Sequence, residues 1–202
     1  MASYRPNWFL IGVCAVAAAV MIALAPRLNR RLTSTIVNTI QRRQMEDAKR
    51  DLNAARSQYD RWLKLTNVVV PEAGSGVPAE VRPHANEVLE TAAKYTDDWN
   101  YGNAIHKGNL ALGRLALREG KIDAAEDFLL RAGRTPGSPQ LDSFGPNMVL
   151  ARELVEKGRR DKVVEYFALC GKFWKDNHGR LKSWGAQVKE GKEPDFGANL
   201  LY

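Results

Sequence analysis

Residues 111–133 read ALGRLALREGKIDAAEDFLLRAG. Two helical patterns meet in this stretch at Gly120. The first covers about 102–119, the second 121–133. Glycine enters the left-handed region without the Cβ penalty other residues carry, so Gly120 suits a helix stop and a turn. Leu112-Gly113 before the turn is answered by Ala125, Leu129 and Ala132 after it. Small residues at such positions let two helices approach closely. A large side chain at Gly113 is therefore expected to overpack the contact.

The same order of residue types returns downstream. Leu150-Ala151 is followed by Gly158, Val163, Phe167 and Cys170. Together the two hairpins, roughly residues 105–175, resemble tetratricopeptide repeats. That family places a Leu-Gly pair on its first helix, a glycine between helices, and small and aromatic residues on its second. Leu129 replaces the usual aromatic, and Pro136 stands one place early. The step from Gly113 to Ala151 is 38 residues, where the family repeats at about 34. The resemblance implies an all-α fold of stacked helix hairpins with a concave groove. The stretch 103–202 is also similar to a bacterial, membrane-anchored family of such domains, through NAIHKGN, RTPGSPQLDSFGPNM and PDFGANLLY. That likeness carries over no activity.

Further helical patterns lie on both sides. One covers 84–99, with Val88, Leu89, Ala92, Tyr95 and Trp99 on one side. Others cover about 145–157, 160–175 and 178–190. Residues 84–202 thus read as the tetratricopeptide-like domain. Residues 67–83 hold Pro71, Gly74, Gly76, Pro78 and Pro83. Proline removes a backbone donor and glycine weakens helices, so this stretch reads as a linker.

Residues 27–66 read as a long, basic juxtamembrane helix. From Met45 the apolar positions Ala48, Leu52, Ala55, Tyr59 and Trp62 keep heptad spacing. This seam (residues 45–62) reads as a short coiled coil making a homodimer, or as a surface stripe packing on its own domain. Ten Lys or Arg stand against four acids in 27–66, while bases and acids in 67–202 balance at 19 each. Six of the seven net positive charges therefore lie in the juxtamembrane stretch, and Arg5 supplies the seventh. A neutral domain argues against nucleic acid as a partner, since phosphate binding needs a basic face.

Trp8 to Ala25 is 18 residues without a charge. As a helix it reaches about 27 Å, near the thickness of a bilayer core. Residues 1–26 thus read as a single transmembrane anchor, with the lipid bilayer met by residues 8–25. The competing reading is a signal peptide cut after Ala23-Leu24-Ala25. The length of the run and Pro26 after the cut argue against it. Arg27, Arg30, Arg31, Arg42 and Arg43 follow the span, and only Arg5 precedes it. The positive-inside rule then puts the domain in the cytoplasm, on an inner membrane. A periplasmic placement is the alternative.

Composition offers little chemistry. Three histidines and two cysteines show no metal-ligand spacing, so no metal or cofactor is expected. Cys170 reads as an inert core thiol. Glu153, Glu156 and Glu165 read as solvated faces. Asn103, His106 and Asn109 share one helix, and the loop 134–147 contributes Gln140, Phe144 and Asn147. These six are the candidate partner-binding residues. In the purely structural reading, Leu141 and Phe144 of that loop are buried and His106 is a satisfied core histidine. The expected function is a membrane-tethered protein-interaction module, a subunit or assembly factor of a membrane complex. The alternatives are an exported helper of envelope assembly and an enzyme with a polar pocket near His106.

Overall fold

The computed structural model describes Arg43 and residues 45–201. The apolar segment 8–25 and its basic flank to residue 42 lie outside the described residues. Among those described, no helix is long and apolar enough to cross a membrane. The described residues are helical, with no strand.

A helical run over 45–53 leads into eight helices: α1 (Gln58–Ser75), α2 (Pro78–Ala92), α3 (Tyr101–Arg118), α4 (Ile122–Gly133), α5 (Pro139–Phe144), α6 (Val149–Glu156), α7 (Arg160–Cys170) and α8 (Arg180–Lys189). A 3-10 turn, Gly197–Leu200, follows. The pairs α1/α2, α3/α4 and α6/α7 are successive hairpins, and α8 packs on α7 as a cap. One hydrophobic core runs from Leu52 to Phe196.

The hairpin turn predicted at Gly120 recurs in detail at Gly158. Gly120 and Gly158 have φ of 76° and 77°. Lys121 N–H donates to Ala116 O, and Arg159 N–H to Leu154 O, both at 2.9 Å. Gly120 N–H donates to Leu117 O and Gly158 N–H to Val155 O. This pair of bonds satisfies carbonyls that a helix end leaves open. The repeat positions behave alike as well. Ala125, Leu129 and Ala132 are buried, as are Val163, Phe167 and Cys170. Gly113 faces Leu150, Phe128 and Ala125, and a Cβ on it would overlap the Leu150 side chain. The small residue of one hairpin thus receives the leucine of the next.

Four expectations need correction. The stretch 67–83 is not a linker. α1 runs through Pro71 to Ser75, and α2 starts at Pro78 and runs through Pro83. Pro78 sits at a helix start, where its missing N–H is no loss. Pro71 and Pro83 each remove one helical bond, but Val68, Val69, Val70, Val81 and Ala85 are buried around them. Burying a valine is worth about 1.5–3 kcal/mol, which offsets those losses.

Second, the juxtamembrane helix is not continuous to residue 66. It breaks at 54–57, where Ser57 Oγ accepts from Asp60 N–H at 3.0 Å and Asp60 Oδ2 accepts from Arg56 N–H at 3.0 Å. That exchange starts α1 afresh. The six-residue seam (45–62) therefore does not lie on one helix, and Leu52 and Trp62 are buried in the chain's own core. Trp62 also donates from Nε1 to Val88 O at 3.0 Å. The domain accordingly begins well before residue 84.

Third, the helix expected over 84–99 ends at Ala92, and Trp99 is exposed. Fourth, the loop 134–147 contains α5, started by Ser138 Oγ accepting from Leu141 N–H. Leu141 is buried as expected, but Phe144 is 60% exposed.

Candidate interaction face

The side chains of five of the six residues singled out from sequence are held in internal polar contacts. His106 on α3 has no exposed surface. Its Nδ1 lies 3.1 Å from Ala132 O, and its Nε2 accepts from Asn147 N–H at 3.2 Å. These partners fix the neutral form with the proton on Nδ1. Burial lowers its pKa to about 4. The ring lies against Tyr166 and Phe173. Tyr166 donates its hydroxyl to Asn147 O at 3.0 Å. Asn147 Oδ1 accepts from Val149 N–H at 2.9 Å, opening α6. His106 and Asn147 thus tie α3, the end of α4, α6 and α7 together.

Asn103, one turn before His106, donates to Asn100 Oδ1 and to Gln140 Oε1, and accepts from Ser138 Oγ at 2.6 Å. It fixes α5 to α3. Asn109 donates back to Ile105 O at 2.8 Å within its own helix. Asn103, His106, Asn109 and Asn147 are all buried, and Gln140 is half-buried. In this conformation no partner or substrate meets the His106 ring. Phe144 alone of the six is exposed.

The C-terminal motif closes the same network. Asn199 Nδ2 donates to Phe144 O at 3.2 Å and to Pro146 O at 2.9 Å, and Asn199 O accepts from Met148 N–H at 2.8 Å. Phe196 packs edge-on to Trp184 and Phe167. The motifs 103–109 and 134–148, with residues 194–201, therefore act together to hold the third hairpin on the second. Cys170 is buried, and burial pushes its thiol pKa up, as expected of an unreactive core thiol. Among the described residues no cluster of His, Cys, Asp or Glu is placed to hold a metal ion.

A different set of residues shapes the surface where hairpins meet. Along α3, Lys107, Arg114 and Arg118 are spaced by seven and four, so they lie on one side of the helix. Each reaches back to α1 or its end. Lys107 Nζ donates to Asn67 Oδ1 at 3.2 Å. Arg114 Nη1 donates to Val70 O at 2.8 Å. Arg118 Nη1 donates to Ala73 O and Gly76 O, both at 2.9 Å. The order of partners shows that α1 and α3 run parallel. Gly74 makes room, because a Cβ there would strike the Arg114 guanidinium at 2.6 Å. Arg114 also grips Glu153 of α6, with Nε at 3.0 Å and 3.1 Å from its two oxygens. Glu153 is thus a half-buried tie between hairpins and not a solvated acid.

A ridge of three cations therefore ties α3 to α1, and one of them, Arg114, also ties α3 to α6. Sequence reading missed this ridge. The spacing of Lys107, Arg114 and Arg118 carried the signal, but their α1 partners lay in a stretch read as linker. No protein-family model, curated protein or solved structure matches the chain.

Proposed function

We propose that the chain is a membrane-tethered protein-interaction module, a subunit or assembly factor of a membrane complex. The observation that carries this reading is the alignment of α1, α3 and α6. Arg114 of α3 bonds both Val70 O of α1 and Glu153 of α6, so the first helices of the three successive hairpins meet, and faces built from such helices receive peptides or partner subunits. The polar residues that stand out in the sequence are consumed inside the fold. The resemblance to tetratricopeptide repeats supports the same reading, as does the uncharged run 8–25, which acts as the tether. The flanking arginines favour a cytoplasmic domain.

Site-directed photo-crosslinking in intact membranes tests it. A photoreactive side chain at Asn67 or Pro71, both exposed on α1, should capture a protein neighbour. The same probe at Asp161, exposed on α7, should not. Equal capture at all three sites, or none at any, contradicts the proposed face.

A further inference from the structure

The helical run 45–53 folds back along α1. Asn53 lines a cleft with Arg61 near the start of α1, while Lys49 Nζ lies 3.3 Å from Glu72 Oε1 near its end. This order of contacts makes the two segments antiparallel. Leu52 of the run is buried, and Met45 and Ala48 pack against the core. Glu72 is buried too, with His84 Nδ1 at 2.8 Å. The run therefore occupies a seat on α1 built around one leucine and one ion pair.

The joint between run and helix conflicts with its own sequence. Residues 45–65 contain neither glycine nor proline. Alanine and arginine are strong helix formers, and Ala54, Ala55 and Arg56 make up most of the joint. The heptad positions Met45, Ala48, Leu52, Ala55, Tyr59 and Trp62 pass through it without a skip. The break rests on local capping at an exposed serine: Ser57 Oγ accepts from Asp60 N–H, and Asp60 Oδ2 accepts from Arg56 N–H. Beside it a cleft of about 540 Å³ separates Ala55 and Gln58 from the Arg61–Glu87 pair. The sequence thus supports two states of the joint, a capped turn and a continuous helix.

We propose that two copies of this chain exchange residues 45–53 to form a symmetric dimer. Winding the joint into helix joins 45–53 to α1 as one rod. Two rods then pair antiparallel about a two-fold axis at the joint, and each run takes the α1 seat of the other copy. What fills that seat is settled by the chain's own run, and a second copy brings the same leucine and the same lysine. Exchange of an identical element keeps every contact of the seat, which makes it a low-cost route to a dimer. The Ser57 cap is given up, and the joint gains helical bonds in return. The partner is a second copy, so the inference stands independently of the interaction-module reading.

Two variants of the full chain, differently tagged, co-expressed and extracted in mild detergent, test it. Lys49→Glu sets two acids against each other at the seat, and Glu72→Lys sets two bases. Neither variant should dimerise alone. Together they match opposite charges at both seats, but only by exchange. The two tags should therefore co-purify about tenfold more than two tags on either variant alone. Equal recovery of mixed and self pairs overturns the proposal.

Gln58→Pro keeps the test decisive should a charge variant lose its fold. Gln58 is exposed at the first position of α1, after an extended Ser57, where proline is accommodated. Inside a continuous rod the same proline would break the helix. By light scattering the native chain should pass from monomer to dimer with rising concentration. Gln58→Pro should stay monomeric with its helical content unchanged, and Ser57→Ala, which removes the cap, should shift the balance towards dimer. A native chain that is monomeric throughout, or a dimer that Gln58→Pro leaves intact, overturns the exchange.

Discussion

Gly102→Ala is expected to lower the melting temperature of the domain by roughly 6–12 °C, the equivalent of about 3 kcal/mol in a protein of this size. Gly102 is the second residue of α3, and the main-chain carbonyl of Gly137 packs directly onto its Cα. A Cβ at 102 would fall inside that carbonyl group. The obstacle is backbone, so no rotamer change relieves it. Gly137 cannot retreat either. It has φ of 90°, and Phe173 lies against its other side. The approach is bound in place by Thr135, whose Oγ1 donates to Gly102 O at 2.7 Å and accepts from Gly137 N–H at 3.3 Å. Gly120→Ala is the comparison, because a Cβ there meets only open space. Its cost is confined to the left-handed backbone, about 1–2 kcal/mol. Thermal unfolding of the two variants by circular dichroism separates the effects. A Gly102→Ala variant that melts with the native protein would show that the 134–138 segment does not lie against α3.

The second large effect is a pH dependence set by His106. Its pKa falls from 6.5 to about 4 on folding, because burial disfavours the imidazolium. The unfolded chain therefore binds a proton in a window where the folded chain does not. Stability is intact above pH 6.5 and is lost as pH falls towards 4. A displacement of about 2.5 pH units corresponds to about 3 kcal/mol at the acid end of the window. Asp60 and Glu87, whose pKa values are lowered by the Arg56 N–H and the Arg61 guanidinium, add losses of the same sign lower down. His106→Gln isolates the histidine. The variant should be less stable at neutral pH, having lost one of two buried bonds, yet its stability should vary less between pH 6.5 and 4. Urea titrations across that window measure the difference. Parallel pH profiles for native and variant protein would contradict a buried, neutral His106.

These two residues show what the sequence makes visible and what it hides. Gly120 and Gly158 could be read directly, because a helix stop is local: one glycine supplies the left-handed residue and the next N–H closes the motif. The all-α fold and the 38-residue step followed from them. The first hairpin was hidden because Pro71, Pro83 and Gly74 are breakers by local propensity. Here tertiary burial of Val68, Val69 and Val70 overrides the prolines, and Gly74 is small so that Arg114 can cross α1. A serine followed three residues later by an acid, Ser57 and Asp60, did mark the start of α1. The heptad spacing across 54–57 masked it. For the polar residues, composition located a cluster but not its direction. Asn103, His106 and Asn147 face inward onto α4, α5 and α7, and only the packed fold reveals that. The cation ridge depends on pairing α3 with α1 across some forty residues, which no local pattern encodes.

The most direct test of the central claim is co-purification. The full-length chain, expressed at its native level and extracted in mild detergent, is isolated through a C-terminal affinity tag and its companions are identified and quantified by mass spectrometry. A membrane-tethered interaction module should bring down one or more membrane-complex subunits in near-stoichiometric amounts, retained through size-exclusion chromatography. Recovery of the chain alone as a homogeneous species, with no companion above background, would contradict the account.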